Sequence, residues 1–255
     1  MASAAEAVAD IGDGASLCVG GFGLSGIPWT LIEAVLHGGA GDLTVVSNNC
    51  GVDGAGLGVL LAEHRISRVI ASYIGDNREF ARQFLAGELQ VELTPQGTLA
   101  ERMRAGGSGI AAFYTPTGVG TLVADGGLPW RYDGAGGVAL ASPPKEVRTF
   151  GLGGVEREYV LEEGIRTDFA LVHAAVADTH GNAVFHAAAR NFNPPAAMAG
   201  RTTVLEAERV VRPGEIPPDD VHLPGVFVQR VVALSPEQAA DKRIEKRTTT
   251  PRDLP

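Results

Sequence analysis

Short apolar runs alternate with amphipathic stretches through the first half of the chain. Residues 15–20 (ASLCVG), 43–47 (LTVVS), 68–73 (RVIASY), 89–93 (LQVEL) and 110–114 (IAAFY) read as strands. Helical patterns lie between them: 28–36, with Pro28 where a missing N–H is harmless, 57–63, 77–86 opened by Asn77, and 97–105. Strand starts recur about every 20 to 28 residues, the spacing that strand–helix–strand units require. The pattern predicts an α/β fold: an open, largely parallel sheet with helices on both faces.

The second half changes character. Residues 115–165 carry turn signals at Asp125-Gly126-Gly127 and Asp133-Gly134 and short candidate strands at 138–141, 146–150 and 158–162, which predicts an antiparallel, β-rich insertion. Strands resume at 168–176, 183–187 and 202–211, and a stiff connector at 212–218 (RPGEIPP) leads to a last strand at 226–233. The expected organisation is one domain over 1–234 with 115–165 inserted, then a polar tail over 235–255 whose end, TTTPRDLP, is expected to be loose.

Composition narrows the function. The chain has 255 residues, 45% of them apolar, enough to bury a substantial core without a disulfide or a structural metal. No apolar run approaches the ~18 residues of a membrane span. The first residues place Glu6 and Asp10 where a secretory leader needs a basic start and an apolar middle. Cys18 and Cys50 cannot build a disulfide framework and suit a reducing compartment, so a cytoplasmic protein is expected. A formal charge of -9 leaves no cation excess to neutralise phosphates, which argues against nucleic-acid binding. The 34 glycines amount to about 13%, nearly twice the usual ~7%, and cluster at the ends of apolar runs.

Gly21-Phe22-Gly23-Leu24-Ser25-Gly26 fits G-x-G-x-x-G between a strand and a helix. Two features oppose a nicotinamide-dependent oxidoreductase: the helix starts after the last glycine, and Asn48-Asn49 stand where an acid should follow the second strand. The loop better suits another anionic or extended ligand lying against backbone N–H groups, with a purely structural turn as the alternative. Ser25 and Ser108 lack the surroundings of a nucleophile elbow. His173, His180 and His186 have no cysteine or acid at ligand spacing, so no metal is expected and they read as solvated or core histidines. Gln96, in Glu92-Leu93-Thr94-Pro95-Gln96-Gly97, follows a strand and precedes a helix, where open α/β sheets bind ligands. Its amide there can donate toward a carbonyl oxygen that gains charge. Asn48 and Asn49 follow another strand end, and three such amides make a polar, uncharged site.

The stretch from Asp13 to Pro28 (DGASLCVGGFGLSGIP), with LTVVSNNCGVD (43–53), VELTPQGTLAERMRAGGSGIAAFYTPTGVGT (91–121) and GNAVFHAAARNFN (181–193), resembles the family I coenzyme A-transferases, and specifically their alpha subunit. The resemblance runs from about residue 5 to 246. It implies that CoA passes from succinyl-CoA to a 3-oxo acid such as acetoacetate, with 3-oxoadipate or acetate as alternative acceptors. It implies no bound cofactor, the CoA thioester being a substrate. The family's CoA-associated loop falls on Gly20, Gly21, Phe22, Gly23, Leu24, Ser25 and Gly26. The amide beside the reacting thioester falls on Gln96, with Asn48 and Asn49 lining the same site. Its attacking glutamate belongs to an S-E-N-G-type motif of a beta subunit or second half. No Glu-Asn-Gly occurs here, and Glu162-Glu163-Gly164 reads as a solvated strand end. The resemblance therefore implies an active site completed by a separate beta chain. Ser25, Trp29 and Cys50 depart from the family pattern and bear on acyl-chain preference. A non-catalytic ligand-binding protein of the same fold is the remaining alternative.

Overall fold

The computed structural model describes residues 1–242. The chain opens with α1 (Ala4–Ala7) and continues through β1 (Ser16–Val19), α2 (Trp29–Gly38), β2 (Leu43–Val46), α3 (Gly58–Ala62), β3 (Ile66–Ala71), α4 (Arg78–Leu85), β4 (Gln90–Leu93) and α5 (Gln96–Gly107). After β5 (Ala112–Thr115) and α6 (Leu122–Asp125) come β6 (Pro129–Tyr132), β7 (Val138–Ala141), β8 (Val147–Leu152) and β9 (Val155–Glu163). The chain then forms β10 (Thr167–Asp178), β11 (Ala183–Val184), α7 (Asn193–Ala199), β12 (Gly200–Val211), β13 (Arg230–Ala233) and α8 (Pro236–Ala240).

The main sheet has the order β13-β12-β10-β1-β2-β3-β4, all parallel, with β11 antiparallel beside β10. Its central strands β1 and β2 are mostly apolar runs because both faces are covered. Alternation within β1 shows the two layers. Leu17 and Val19 join the cluster formed with Leu31, Ile32 and Val35 of α2, Leu60 of α3 and Phe80 of α4. Cys18 joins the opposite cluster, with Leu99 and Met103 of α5 and Ala196 and Ala197 of α7. The chain runs outward from β1 to β4 and returns at β10, so the order reverses between β1 and β10. Open α/β sheets bind ligands above such a reversal, at the carboxyl ends of the strands.

Three local expectations are corrected. The segment 110–114 is not a fifth parallel strand: β5 pairs antiparallel with β9 in a separate sheet of order β5-β9-β8. Its side chains are only half-buried, unlike those of a central parallel strand. The 183–187 strand shortens to Ala183–Val184, because a 3-10 turn begins at Ala187, whose φ is 45°. The segment after 234 starts as α8, capped by Ser235 and Gln238 in a reciprocal capping box. The remainder of the expected tail, TTTPRDLP included, lies outside the described residues. Within the insertion, β6 and β7 form a further antiparallel pair. Among the described residues no helix is long and apolar enough to cross a membrane.

Candidate active site

The glycine loop leaves β1 through Gly20, whose N–H donates to the Leu171 carbonyl at 3.0 Å. Phe22 and Ser25 exchange backbone hydrogen bonds of 3.1 and 3.0 Å, which closes a tight hairpin. Gly21, Gly23 and Gly26 have φ of 107°, 59° and 67°, a region that side chains disfavour. A Cβ at Gly21 would meet Ile27 Cγ2 at 2.5 Å, and one at Gly26 would meet the Ala189 carbonyl oxygen at 2.7 Å. Beneath the loop, Asn191 Nδ2 donates to the Ser25 carbonyl (3.0 Å) and Asn193 Nδ2 to the Gly26 carbonyl (2.9 Å). The glycines thus serve close packing as well as backbone exposure.

Beside the loop, the ends of β2, β3 and β4 converge on an amide cluster. Asn48 and Asn49 are buried. Asn48 Oδ1 accepts from Gln96 Nε2 and from Ser72 Oγ, both at 2.8 Å. Asn48 Nδ2 donates to Asn49 Oδ1 (3.2 Å), which also accepts the Gly23 N–H at 2.8 Å. The series ties the glycine loop to the first residue of α5. It floors a cavity of about 230 Å³ walled by Phe22, Tyr73, Val52 and Gly51. Asp76 is the one charged side chain that lines it among the described residues. The N–H groups of the first α5 turn, which receive no side-chain cap from Pro95, add positive potential at the same place. The cavity therefore offers neutral amide donors on its floor and a single carboxylate, Asp76, in its wall. It suits polarising an acyl oxygen.

Gln96, Asn48, Asn49, Phe22 and Gly23 thus come together around one cavity. Leu24, Ser25 and Gly26 face a second cavity, of about 330 Å³, on the other side of the loop, where Trp29 also stands. Gly20 and Gly21 are buried beneath the hairpin. Cys50 is buried below the amides, and burial pushes its thiol up to about 12, so it stays protonated at neutral pH.

The second cavity holds what sequence reasoning missed. His173 on β10 is a largely buried histidine, within the solvated-or-core reading, but its two acid partners were not foreseen. Its Nδ1 lies 2.9 Å from Glu206 Oε1 and its Nε2 3.0 Å from Glu208 Oε1, both on β12. Glu206 is buried and accepts the Leu31 N–H in the first turn of α2 at 3.0 Å. Lys242 pairs with Glu208. Burial opposes the imidazolium, but the hydrogen bonds and charges of Glu206 and Glu208 outweigh it and hold the His173 pKa above its ordinary value. The spacing Glu206-x-Glu208 on one face of a strand was visible, whereas its pairing with His173 depends on strand register. Glu162 is not a solvated strand end. It is buried, 2.6 Å from Lys145 Nζ and 3.8 Å from Arg102 Nε. Among the described residues no three His, Cys, Asp or Glu side chains gather in a metal-holding arrangement.

A doubly covered parallel sheet with an amide-floored cavity at its strand ends defines an α/β protein of the class that binds ligands beyond the carboxyl ends of its strands. The chain belongs to the coenzyme A transferase family, whose pattern it matches over residues 1–234. It is 65% identical to the A subunit of the probable succinyl-CoA:3-ketoacid coenzyme A transferase of Mycobacterium tuberculosis, across 97% of both chains. It is 51% identical to the human mitochondrial succinyl-CoA:3-ketoacid coenzyme A transferase 2, across 95% of this chain and 46% of that one. Among solved structures, the acyl-CoA transferase YdiF of Escherichia coli O157:H7 shares the fold, with a TM-score of 0.72 at 23% identity. That match covers 92% of this chain and 47% of YdiF, so this chain spans about half the length of the human and E. coli relatives.

Proposed function

We propose that this chain is the A subunit of a 3-oxoacid CoA-transferase that moves CoA from succinyl-CoA to a 3-oxo acid such as acetoacetate, with the attacking glutamate on a separate B subunit. The observation that carries the reading is a cavity equipped with amide donors and lacking any glutamate in its lining, in a chain 65% identical to a relative named as such a subunit.

In this reading the partner's carboxylate attacks the thioester carbonyl of succinyl-CoA. The C–S bond breaks, CoA leaves as thiolate, and a mixed anhydride of succinate and the glutamate remains. The thiolate then attacks the glutamyl carbonyl, expelling succinate and leaving a glutamyl-CoA thioester. The acceptor carboxylate repeats the sequence in reverse, which frees the glutamate and forms the new acyl-CoA. Every nucleophile and leaving group is a carboxylate or a thiolate, so no step requires a proton to move. What each step does require is stabilisation of an oxyanion. Gln96 has one Nε2 hydrogen on Asn48 and a second to offer that oxyanion, beside the first turn of α5. Phe22 and Gly23 wall the same space and present the loop against which the CoA arm lies. The buried free thiols of Cys18 and Cys50 accord with action in the reducing cytoplasm.

The test is co-expression with the B subunit, followed by a thioester-absorbance assay over acetoacetate, 3-oxoadipate and acetate. Turnover should need both chains, and borohydride trapping or mass spectrometry should place the CoA adduct on the other polypeptide. An adduct on this chain overturns the reading.

A further inference from the structure

Glu206 is a carboxylate inside the main sheet, 1% exposed. Its neighbours on β12, Leu205 and Ala207, join the cluster under α5 and α7, so strand alternation turns Glu206 to the opposite face, toward α2. A charge buried there is unfavourable unless it is paired and hydrogen-bonded. One of its oxygens accepts the Leu31 N–H at 3.0 Å, and the other lies 2.9 Å from His173 Nδ1. The Thr30 N–H acts on the same carboxylate. All three partners adjoin the glycine loop.

The loop runs directly into α2, whose N-cap is Pro28, and Pro28 offers the helix no side-chain hydrogen bond. Glu206, reaching across from β12, supplies the acceptor that a serine or aspartate would otherwise provide at that end. A second path runs through His173, whose backbone N–H donates to Asn193 Oδ1 at 3.0 Å, while Asn193 Nδ2 holds the Gly26 carbonyl at 2.9 Å. The loop is thus fixed on both sides of Ile27, and Gly21 packs so closely on Ile27 that a Cβ would lie 2.5 Å from its Cγ2. On its other side the loop presents the Gly23 N–H to Asn49 Oδ1 at 2.8 Å. Asn49, Asn48 and Gln96 follow in one hydrogen-bonded series.

We propose that Glu206 is a positioning residue for the amide-floored cavity, setting the glycine loop from behind so that Gly23, Asn49 and Asn48 hold the Gln96 amide in its productive orientation. The proposal rests on the reading of that cavity as the site of acyl transfer. Glu206 lines neither the cavity nor its mouth, so it acts only through the loop. What matters in this role is the reach of the side chain to α2, more than its charge. Glu206→Gln keeps the length and an oxygen for the Leu31 N–H. Glu206→Asp keeps the charge beside His173 but draws the carboxylate back from α2 by one methylene.

The test is a double-mutant cycle in the assembled enzyme, read at pH 7.5 on the folded material recovered by gel filtration. Glu206→Asp should lower kcat by about tenfold or more, the scale of a misplaced catalytic group, and Glu206→Gln should stay within about threefold of wild type. On a Gln96→Ala background Glu206→Asp should cost less than about twofold, because residues that act as a unit are not additive. Hydrogen exchange in the segment 20–31 should accelerate by about tenfold in Glu206→Asp and remain slow in Glu206→Gln. A side chain that serves only as a counter-charge to His173 gives the reverse order, with Asp active and Gln impaired, and that order overturns the proposal. So do additive losses in the cycle, or exchange in 20–31 that is the same in all three proteins. A Gln96→Ala enzyme at the wild-type rate overturns the reading of the cavity and the proposal with it, whereas additive losses with Gln96→Ala slow on its own overturn the proposal alone.

Discussion

Gln96 Nε2 lies 2.8 Å from Asn48 Oδ1, so the first residue of α5 and the turn after β2 are joined side chain to side chain across the cavity floor. The bond has a fixed direction. Asn48 Oδ1 already accepts from the Ser72 hydroxyl, and Asn48 Nδ2 is directed at Asn49 Oδ1. Only a donor from Gln96 completes the set, which fixes its amide with the nitrogen toward the cavity floor.

The first prediction follows from that orientation. Gln96→Ala in the assembled enzyme lowers kcat by about 10- to 10³-fold, the range seen when an oxyanion donor is lost. Stability changes little, because Gln96 is exposed. Gln96→Glu is as deleterious, since it sets a carboxylate against Asn48 Oδ1. Steady-state kinetics with thermal melts check both. A kcat within twofold of wild type removes Gln96 from the reaction.

A second prediction concerns the support beneath the glycine loop. Asn193 is fully buried and serves three backbone groups. It donates to the carbonyls of Gly26 (2.9 Å) and Ala189 (2.8 Å) and accepts the His173 N–H (3.0 Å). Asn193→Leu leaves these unpaired and destabilises the protein by about 2–4 kcal/mol. Asn193→Asp keeps the acceptor and loses both donations, so it falls between. Urea unfolding gives the order directly, and a leucine variant as stable as the parent refutes it.

How legible this was in the sequence varies with the kind of contact. The central strands stood out because burial on both faces makes a parallel strand a mostly apolar run, as at Leu17–Val19 and Leu43–Val46. Gln96, Asn48 and Asn49 were visible as amides just past strand ends, and that such ends lie together is a property of parallel sheets. The segment holding β5 was assigned to the wrong sheet because IAAFY has the composition of a parallel strand, while its partner in β9 is fixed only by tertiary pairing. β6 escaped notice because it begins at Pro129 and is flanked by turn residues. The His173–Glu206 contact spans 33 residues and arises only because β10 and β12 pair in the register His173↔Glu206. No local pattern encodes that register.

A third prediction addresses the charges that tie the insertion to the main sheet. Arg102 of α5 reaches Glu92 Oε1 at 2.7 Å and the Glu163 carbonyl at 2.9 Å, and Arg68 holds the other oxygen of Glu92 at 2.8 Å. Burial raises the Glu92 pKa, but Arg102 and then Arg68 outweigh it and hold it below the ordinary carboxylate value. Removing one partner of a buried pair leaves the other charge uncompensated. Arg102→Met therefore destabilises by about 3 kcal/mol or more, whereas Arg104→Met, whose Glu101 pair is largely exposed, changes stability by less than about 1 kcal/mol. Chemical denaturation of the two variants decides it: equal losses would show that the buried network contributes nothing special.

The last prediction is a pH dependence of stability centred on His173. Its pKa is raised in the folded protein above 6.5, because Glu206 and Glu208 overcome the burial that opposes its charge. Glu206 is raised above 4.5, chiefly by burial, against the lowering effect of His173 and of the Thr30 and Leu31 N–H groups. The buried pair thus retains its proton to higher pH than either group does in the unfolded chain. Between unfolded and folded values the folded state binds more protons, so stability falls as pH rises. The imidazolium contribution is complete below 6.5 and is lost as pH climbs through the raised His173 value. Glu208 works in the opposite sense: Lys242 and His173 outweigh its burial and lower its pKa, so its contribution is present above 4.5 and lost in acid. Asp241 and His186 line the same cavity and face these groups. Glu206→Gln separates the effects, because its amide oxygen still accepts the Leu31 N–H while its amide nitrogen donates to His173 Nδ1. With the principal counter-charge gone and burial unchanged, the His173 pKa drops, and the decline of stability above 6.5 flattens. Urea unfolding of wild type and variant from pH 6 to 9, with an NMR titration of the His173 ring, measures both quantities. Parallel stability curves for the two proteins across that range would show that the Glu206 carboxylate does not hold the imidazolium.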